Sequence, residues 1–234
     1  MTWYREHVLP RLTHLAMRNS ALGAERARWV PLASGVVLEI GAGSGLNIPF
    51  YAGTVRRLYA LEPSNALRRM AATRAVRASF QVEFFDARAE AIPLPAASVD
   101  TVVTTWSLCT IPDVARALRE AQRVLRPDGR LIFVEHGRSP DRVVVRWQDR
   151  LTPVWRRIAG GCHLNRPIDR LLADGGFAID GMERGYIRGP RFGAYLYRGA
   201  ARMSTARSDA ASSPGARASA SGEAPIDTVG PGER

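Results

Sequence analysis

The sequence predicts an α/β protein with a doubly wound, mostly parallel sheet of seven strands. Two observations carry this prediction. An apolar strand at residues 36–40 stops at a cluster of glycines, and further apolar runs alternate with helical stretches along the chain. Such alternation is typical of βαβ units, which place parallel strands side by side. With 234 residues and 46% hydrophobic side chains, the chain is long enough to bury one sizeable core.

The glycines that follow the first strand are Gly41, Gly43 and Gly45. A loop that binds a dinucleotide reads G-x-G-x-x-G, and its third glycine seats a helix under the pyrophosphate. Leu46 occupies the position of that third glycine here. The spacing therefore argues against a pyrophosphate ligand. Taken alone, such a loop is also compatible with an ordinary tight turn.

A carboxylate ends the predicted second strand. This strand, at residues 57–62, stops at Glu62, about 20 residues after the glycine loop, which is where a ribose-binding acid belongs in a doubly wound sheet. The carboxylate of Glu62 can accept hydrogen bonds from both hydroxyls of a ribose. The alternative is that Glu62 only caps the helix that follows Pro63 and Ser64.

The remaining predicted elements complete the alternating pattern. The fourth strand ends at Thr105 and Trp106, on the sheet edge where ligands of open α/β folds bind. A turn at residues 126–130 leads into the fifth strand, and Gly175 and Gly176 close the last helix. The other strands are predicted at 80–85, 99–105, 131–135, 177–182 and 193–197, and the helices at 65–78, 113–125 and 166–174.

Both ends of the chain differ in composition from a buried domain. Residues 204–234 are rich in Ala, Ser, Gly, Pro and Arg, and they carry too little apolar surface to offset the entropy of ordering. We therefore expect a folded domain at residues 1–203 and a disordered tail after it. Charged residues interrupt the first 18 positions, so we expect no signal peptide there and a cytoplasmic protein.

The net charge of +11 raises the question of a nucleic-acid partner. All 33 basic residues are arginines, and they are spread through helices, turns and tail instead of forming one stripe. This distribution argues against nucleic acid. The densest group in the folded part is Arg146, Arg150, Arg156 and Arg157, which is compatible with peripheral contact to an anionic membrane or with a solvated helix face.

The cysteines and histidines show no metal-binding spacing. Cys109 and Cys162 form no C-x-x-C pair, and no histidine is spaced as a partner ligand. Cys109 is interpreted as a small buried hydrophobic residue. The sequence therefore predicts no metal.

The glycine loop, preceded by the acidic Glu39, resembles the first motif of the class I S-adenosylmethionine-dependent methyltransferases. Residues 86–95 resemble the segment of that family that meets the adenine edge, and the resemblance assigns Ala89, Glu90 and Asp86 to it. The resemblance implies a Rossmann-like fold and S-adenosylmethionine as cofactor. It assigns the cofactor site to Glu39, Gly41, Ala42, Gly43, Gly45, Glu62, Pro63, Ala89, Glu90 and Thr105.

Later motifs resemble one group within this family. Glu135-His136, the W-Q and P-x-W pairs at residues 147–155, and G-C-x-L-x-R at 161–166 are similar to the ubiquinone and phospholipid methyltransferases, including enzymes that methylate alkyl thiols. The resemblance implies a small lipophilic acceptor, and a thiol is our first interpretation. A quinone, a phospholipid amine, or a cofactor-binding regulatory or RNA-associated protein without turnover remain alternatives. Sequence leaves the oligomeric state open.

The acceptor side of the site is predicted from aromatic residues and one histidine. His136 ends the fifth strand and has a useful unperturbed pKa, so it is the candidate general base. In the family a helix like that predicted at residues 2–19, with a break at Pro10, covers the cofactor as a lid. Any one of these side chains is equally compatible with an ordinary core position. The candidate acceptor-binding residues are Tyr4, Trp106, Trp147, Trp155 and Cys162.

Overall fold

The computed structural model describes residues 3–204 and contains the predicted sheet of seven strands. The strand order is β3-β2-β1-β4-β5-β7-β6; β1 to β5 pair in parallel, and β7 runs antiparallel to both β5 and β6. The predicted mostly parallel, doubly wound α/β fold is confirmed. The strands are Gly35–Ile40 (β1), Val55–Leu61 (β2), Gln81–Phe85 (β3), Val99–Thr105 (β4), Leu125–His136 (β5), Phe177–Tyr186 (β6) and Tyr195–Met203 (β7).

Six α-helices connect and cover the strands within this part of the chain. Before four of the helices, a side chain accepts a hydrogen bond from the first turn, as Asn19, Ser64, Asp113 and Asp141 do. The helices are Leu9–Met17 (α1), Ser20–Trp29 (α2), Asn65–Ala75 (α3), Val114–Val124 (α4), Arg142–Ile158 (α5) and Ile168–Asp174 (α6). The expected tail at 204–234 lies outside the described residues, apart from Ser204.

Three elements differ from the sequence expectation. The fifth strand already begins at Leu125, because its pairing with β4 passes from Val99–Leu125 directly to Thr101–Arg130 and the predicted turn is a bulge within the strand. Strands β6 and β7 are longer than predicted because each extends along the other as an antiparallel pair. At the amino terminus a π-helical turn, Tyr4–Val8, precedes α1, and Pro10 lies in the first turn of α1 where proline is tolerated.

The buried central strands of the sheet end together at one edge, where a ligand can bind. Strands β1, β4 and β5 are buried at nearly all their central positions, with clusters of apolar side chains packed against both faces. The carboxyl ends of β1, β2 and β4 meet at a single edge, as parallel pairing requires. Within residues 3–204, no helix is both long enough and apolar enough to cross a membrane.

Asp100 ties three parts of the sheet together, and its charge is expected to stabilise the fold. Its carboxylate accepts hydrogen bonds from the Val36 backbone N–H at 2.7 Å, from Arg56 at 3.0 Å and from Arg126. These hydrogen bonds hold the pKa of the Asp100 carboxyl below its usual value although desolvation opposes them.

Replacing Asp100 with asparagine is expected to lower the free energy of unfolding at pH 7 by about 1 to 2 kcal/mol, because charged hydrogen bonds are weakened. A carboxyl with a lowered folded-state pKa stabilises the protein above its unfolded pKa, and this contribution is lost as the pH falls through the folded value. Urea unfolding at pH 7 and at about pH 3 checks this. Equal differences between wild type and variant at both pH values would contradict it.

Candidate active site

The three glycines after β1 have left-handed backbone conformations, with φ of +72° at Gly41, +56° at Gly43 and +75° at Gly45. They serve different purposes. A Cβ atom on Gly41 would overlap Ser107, and one on Gly45 would lie 2.9 Å from the Cα of Ala71, so both glycines permit close packing. A Cβ on Gly43 would meet no neighbour closer than 3.9 Å. Gly43 therefore borders open space.

That space is a cavity of about 640 Å³ at the carboxyl ends of the first, second and fourth strands. Its volume is within the usual range for small-molecule sites. The floor is the glycine loop, and α1 lies along one side. Lining residues include Leu9, Pro10, Thr13, His14, Met17, Arg26, Glu39, residues 40–44, Leu46, Asn47, residues 61–64, Leu67, residues 87–90, Thr105, Trp106, Ser107, residues 110–112 and residues 159–161.

Glu62 holds the glycine loop and the start of α3 in place. One carboxylate oxygen accepts a hydrogen bond from the Gly43 N–H and the other from the Ser64 N–H, both at 2.9 Å. Burial raises the pKa of the Glu62 carboxyl, while the two backbone hydrogen bonds oppose that shift. Each oxygen retains a further lone pair, so the carboxylate can still accept hydrogen bonds from a bound diol.

Glu39 lies at the centre of a buried polar network. Its carboxylate accepts hydrogen bonds from the Asn47 amide at 2.8 Å and the Tyr51 hydroxyl at 2.9 Å, and the same amide donates to Thr105 at 2.9 Å. Burial raises the pKa of Glu39 to about 7, although the hydrogen bonds from Tyr51 and Asn47 oppose that rise. The sequence missed Asn47 and Tyr51, although Asn47 follows the glycine loop by only two positions.

Arg26 brings a positive charge to the cavity. It is 4% exposed, and its guanidinium donates to the Asn47 side chain at 3.1 Å and to the Met17 carbonyl at 2.9 Å. Burial lowers the pKa of Arg26 to about 10, so the side chain stays protonated at neutral pH. The guanidinium lies 4.7 Å from the ring centre of Trp106. No motif in the sequence singled out this arginine.

Trp106 is the one predicted acceptor residue that lines the cavity. It follows β4 with a left-handed φ of +51°, which is uncommon for any residue other than glycine. Its backbone N–H donates to the Val134 carbonyl at 2.8 Å, which fixes this conformation against the neighbouring strand. The strained backbone thus presents the indole to the cavity, facing Arg26.

Helix α1 lies over the cavity where the sequence places a lid. His14 on this helix forms a hydrogen bond of 2.7 Å with the Ser44 hydroxyl in the glycine loop. Burial lowers the pKa of His14, and the nearby charges of Arg74 and Arg18 lower it further. Tyr4 donates to the Ile158 carbonyl at 3.0 Å, so it connects the amino-terminal segment to α5 and does not line the cavity.

The predicted adenine side of the site is also assembled at the cavity. Pro63, Ala89 and Glu90 all line it. Ala89 is buried, and the Glu90 carboxylate accepts a hydrogen bond from the Asp113 N–H at 3.3 Å. Asp86 instead forms an ion pair with Arg68 at 2.8 Å. Nine of the ten residues assigned to the cofactor from sequence line the cavity. The tenth, Gly45, belongs to the glycine loop and packs against Ala71.

Most predicted acceptor residues lie apart from the cavity wall. Trp147 is 53% exposed on α5, and Trp155 packs edge-on against Phe192 with ring centres 5.9 Å apart. His136 and Cys162 are buried, and they contact each other behind the wall. The cavity wall that the sequence assigned to Trp147 and Trp155 is formed by residues 110–112 and 159–161.

His136, Cys162 and Cys109 form a buried cluster that the sequence did not predict. The Cys162 sulfur lies 3.4 Å from His136 Nε2. Hydrogen bonding from the Cys109 thiol lowers the pKa of Cys162, and His136 adds to this effect. Desolvation by burial acts to lower the pKa of His136, but the contact with Cys162 and the charge of Glu135 together raise it. His136 therefore faces a thiol of its own chain and not the cavity.

Comparison with known proteins agrees with this geometry. Residues 38–133 match the family model described as a methyltransferase domain. The human thiol S-methyltransferase TMT1B is 35% identical over 158 residues, covering 65% of this chain and 64% of the human protein. The ubiquinone/menaquinone biosynthesis C-methyltransferase UbiE of Hahella chejuensis is 43% identical over 68 residues, covering 29% of this chain and 27% of that protein.

The chain is thus similar to a methyltransferase domain over residues 38–133, and to proteins named as methyltransferases over part of its length. It spans just under two thirds of the length of the human relative. Among solved structures, the YcgJ protein of Bacillus subtilis superposes with a TM-score of 0.58 at 23% identity, covering 72% of this chain and 73% of that one, which supports the fold. These similarities agree with the expected methyltransferase domain and with S-adenosylmethionine as the cofactor that the sequence resemblance implies.

The residues present fit this cofactor. The chain has a cavity of sufficient size, a glycine whose missing side chain leaves open space, and a carboxylate with free lone pairs on the same wall. A Cβ on Gly43 would project into this space.

Proposed function

We propose that this chain transfers the methyl group of S-adenosylmethionine to the sulfur of a small lipophilic thiol. The observation that carries the proposal is the placement of Arg26, a buried cation in a cavity with apolar walls. Leu9, Met17, Ile111 and Pro112 contribute apolar surface beyond the glycine loop. Such a site suits an acceptor with an apolar body whose reacting atom becomes an anion.

The chain's own residues bind and align the reactants. S-adenosylmethionine supplies a methyl group that is already activated on a sulfonium sulfur. The Glu62 carboxylate accepts hydrogen bonds from the ribose hydroxyls, and the backbone around Gly43 allows the donor to approach closely. Helix α1 covers the reactants and limits the access of water. Alignment of this kind can lower a barrier by about 7 to 11 kcal/mol, so little further machinery is required.

Arg26 is proposed to raise the reactive fraction of the acceptor. The thiolate is the nucleophile, and a nearby positive charge lowers the pKa of a thiol. His136 is buried against Cys162, so the proposal does not route the thiol proton through it. We expect the thiol to lose its proton to solvent, with a rate that rises with pH toward the thiol's own pKa.

Two findings support a thiol over the other acceptors. Over long stretches of the chain, the human thiol S-methyltransferase is 35% identical across 158 residues, whereas a quinone C-methyltransferase is 29% identical across 180 residues. An amine also gains little from the arginine, because it attacks as a neutral base and not as an anion. Within this proposal, the residues that the sequence assigns to the cofactor hold S-adenosylmethionine, and Trp106 borders the acceptor.

Replacing Arg26 with glutamine is expected to lower kcat/KM for an alkyl thiol at pH 7 by about 10- to 100-fold, because the thiol pKa rises by about one to two units without the cation. The loss of activity should become smaller as the pH approaches the pKa of the free thiol. Arg28→Gln is the matched control, since Arg28 lies on the same helix in an exposed ion pair with Glu183. Initial rates of S-adenosylhomocysteine formation across a pH series measure both variants.

A panel of alkyl thiols, quinones and amines tests the acceptor class itself. The proposal expects S-adenosylhomocysteine with the thiols. Product with a quinone or an amine but no thiol would overturn it. Cofactor binding without product from any acceptor would favour a protein that binds the cofactor but does not turn it over.

A further inference from the structure

Three distant parts of the chain bring soft ligand atoms together behind the cavity wall. Cys109 lies in the loop after β4, His136 is the last residue of β5, and Cys162 follows α5. They are 2%, 7% and 9% exposed. Their two sulfur atoms and one imidazole nitrogen all lie within 4.8 Å of one another. Among residues 3–204 this is the one group of histidine, cysteine and acidic side chains so placed.

The spacing matches that of a tetrahedral metal site. Zinc binds thiolate sulfur at about 2.3 Å and imidazole nitrogen at about 2.0 to 2.1 Å, which places those two ligand atoms about 3.6 Å apart. The Cys162 sulfur and His136 Nε2 are separated by 3.4 Å. The Cys109 sulfur lies within 4.8 Å of both atoms, so a shift of its side chain toward them would place three donors around one small cation.

The surroundings favour a metal over an empty cluster. Leu164, Leu151, Trp155 and Phe192 pack around the two cysteines. The Cys109 thiol donates to the Trp106 carbonyl at 3.4 Å. Glu135, the chain neighbour of His136, has one buried carboxylate oxygen without a hydrogen-bond partner, and its charge is opposed by nearby Arg166. A buried charge is stable when it is paired or coordinates a metal. Two thiolates would neutralise one divalent ion.

A disulfide between Cys109 and Cys162 is the competing interpretation. It would need only the two sulfur atoms. It gives no reason for the imidazole nitrogen of His136 to point at Cys162, whereas a metal uses all three donors.

We propose that Cys109, His136 and Cys162 bind a zinc ion, which leaves one position of a tetrahedral site for a fourth ligand. The ion joins the loop after β4 to the end of α5. These same two segments supply residues 110–112 and 159–161 of the cavity wall. The site therefore fixes the wall next to the acceptor, contrary to the absence of metal expected from sequence spacing. The proposal does not depend on which acceptor is methylated.

The test uses the full chain purified from zinc-supplemented cells and measures metal by mass spectrometry. We expect close to one zinc per chain. Cobalt in place of zinc should give the intense near-ultraviolet absorption of thiolate coordination. Cys162→Ser and His136→Gln should each weaken zinc binding at least about tenfold in competition with a chelator. His163→Gln is the matched control, because His163 neighbours Cys162 but contacts only the Cys109 carbonyl.

A second measurement uses only the wild-type chain, so it still tests the proposal if a variant fails to fold. Zinc added to the metal-free wild-type chain should protect both cysteines from alkylation, and a chelator should restore their reactivity. Two thiols that react equally with and without zinc would overturn the proposal. So would a mass lower by two hydrogen atoms under non-reducing conditions, since that shows a disulfide. Neither measurement uses a methyl acceptor, so failure here is distinct from failure of the proposed activity.

Discussion

Replacing Gly43 with valine is expected to abolish S-adenosylmethionine binding while the fold is retained. At φ of +56° a residue with a Cβ atom is strained by about 1 to 2 kcal/mol, which a folded domain usually tolerates. The branched side chain would project into the cavity, since no protein atom lies within 3.9 Å of its first carbon. Titration calorimetry measures cofactor affinity, and thermal unfolding followed by circular dichroism measures the fold.

Gly53→Val is the matched control for this change. Gly53 has no neighbour within 4 Å of an added Cβ and no left-handed φ, so the same substitution there adds bulk without blocking a site. It should bind the cofactor as wild type does. Micromolar affinity retained by Gly43→Val would show that the glycine loop does not hold the donor.

Replacing Glu62 with alanine is expected to weaken both S-adenosylmethionine and S-adenosylhomocysteine by roughly 10- to 150-fold. The estimate corresponds to about 1.5 to 3 kcal/mol for hydrogen bonds to a charged group. The change also leaves the N–H groups of Gly43 and Ser64 without their acceptor. Because the donor and its product share the same ribose, both affinities should fall together, and the KM for the acceptor should stay unchanged.

Glu62→Gln separates the two effects of that change. It retains one oxygen acceptor for the backbone and loses the charge, so it should bind the donor better than the alanine variant and less well than wild type. Burial raises the pKa of Glu62, so wild-type affinity should fall with decreasing pH earlier than an exposed glutamate would cause. Donor affinity unaffected by either variant would place the ribose elsewhere.

The sheet and the cofactor side could be predicted because local sequence determines them. Strand β4 has the predicted bounds, Val99–Thr105, because a continuous apolar run is typical of a strand buried on both faces. The glycine spacing and Glu62 likewise identify one edge of a parallel sheet. Each of these patterns lies within a short stretch of sequence, and the parallel pairing of the strands then brings their carboxyl ends to the same edge of the sheet.

The acceptor side could not be predicted because α5 reverses the usual pattern. Its buried face carries Gln148 and Thr152, whose side chains are satisfied by hydrogen bonds to nearby carbonyl groups. Trp147 and Val154 are exposed on the same helix. Sequence reasoning places large apolar side chains inside, so it assigned Trp147 to the pocket. Partners for the buried amide become visible only in the folded chain.

The cysteine and histidine cluster was missed for a different reason. Cys109, His136 and Cys162 are separated by long stretches of sequence, and only the parallel pairing of β4 with β5 and the return of the chain after α5 bring them together. Short paired spacings are the usual sequence signal for such a group. A cluster assembled from three separate elements carries no such signal.

The backbone at Trp106 shows that folding and recognition favour different residues at one position. A left-handed conformation costs a tryptophan about 1 to 2 kcal/mol relative to a permissive residue, and glycine would adopt it freely. Glycine would remove the aromatic face that Arg26 now contacts. A sequence library selected for thermal stability alone would therefore drift toward glycine here, whereas selection for turnover would return the tryptophan. The choice of residue at position 106 thus reports which of the two pressures a population of variants has experienced.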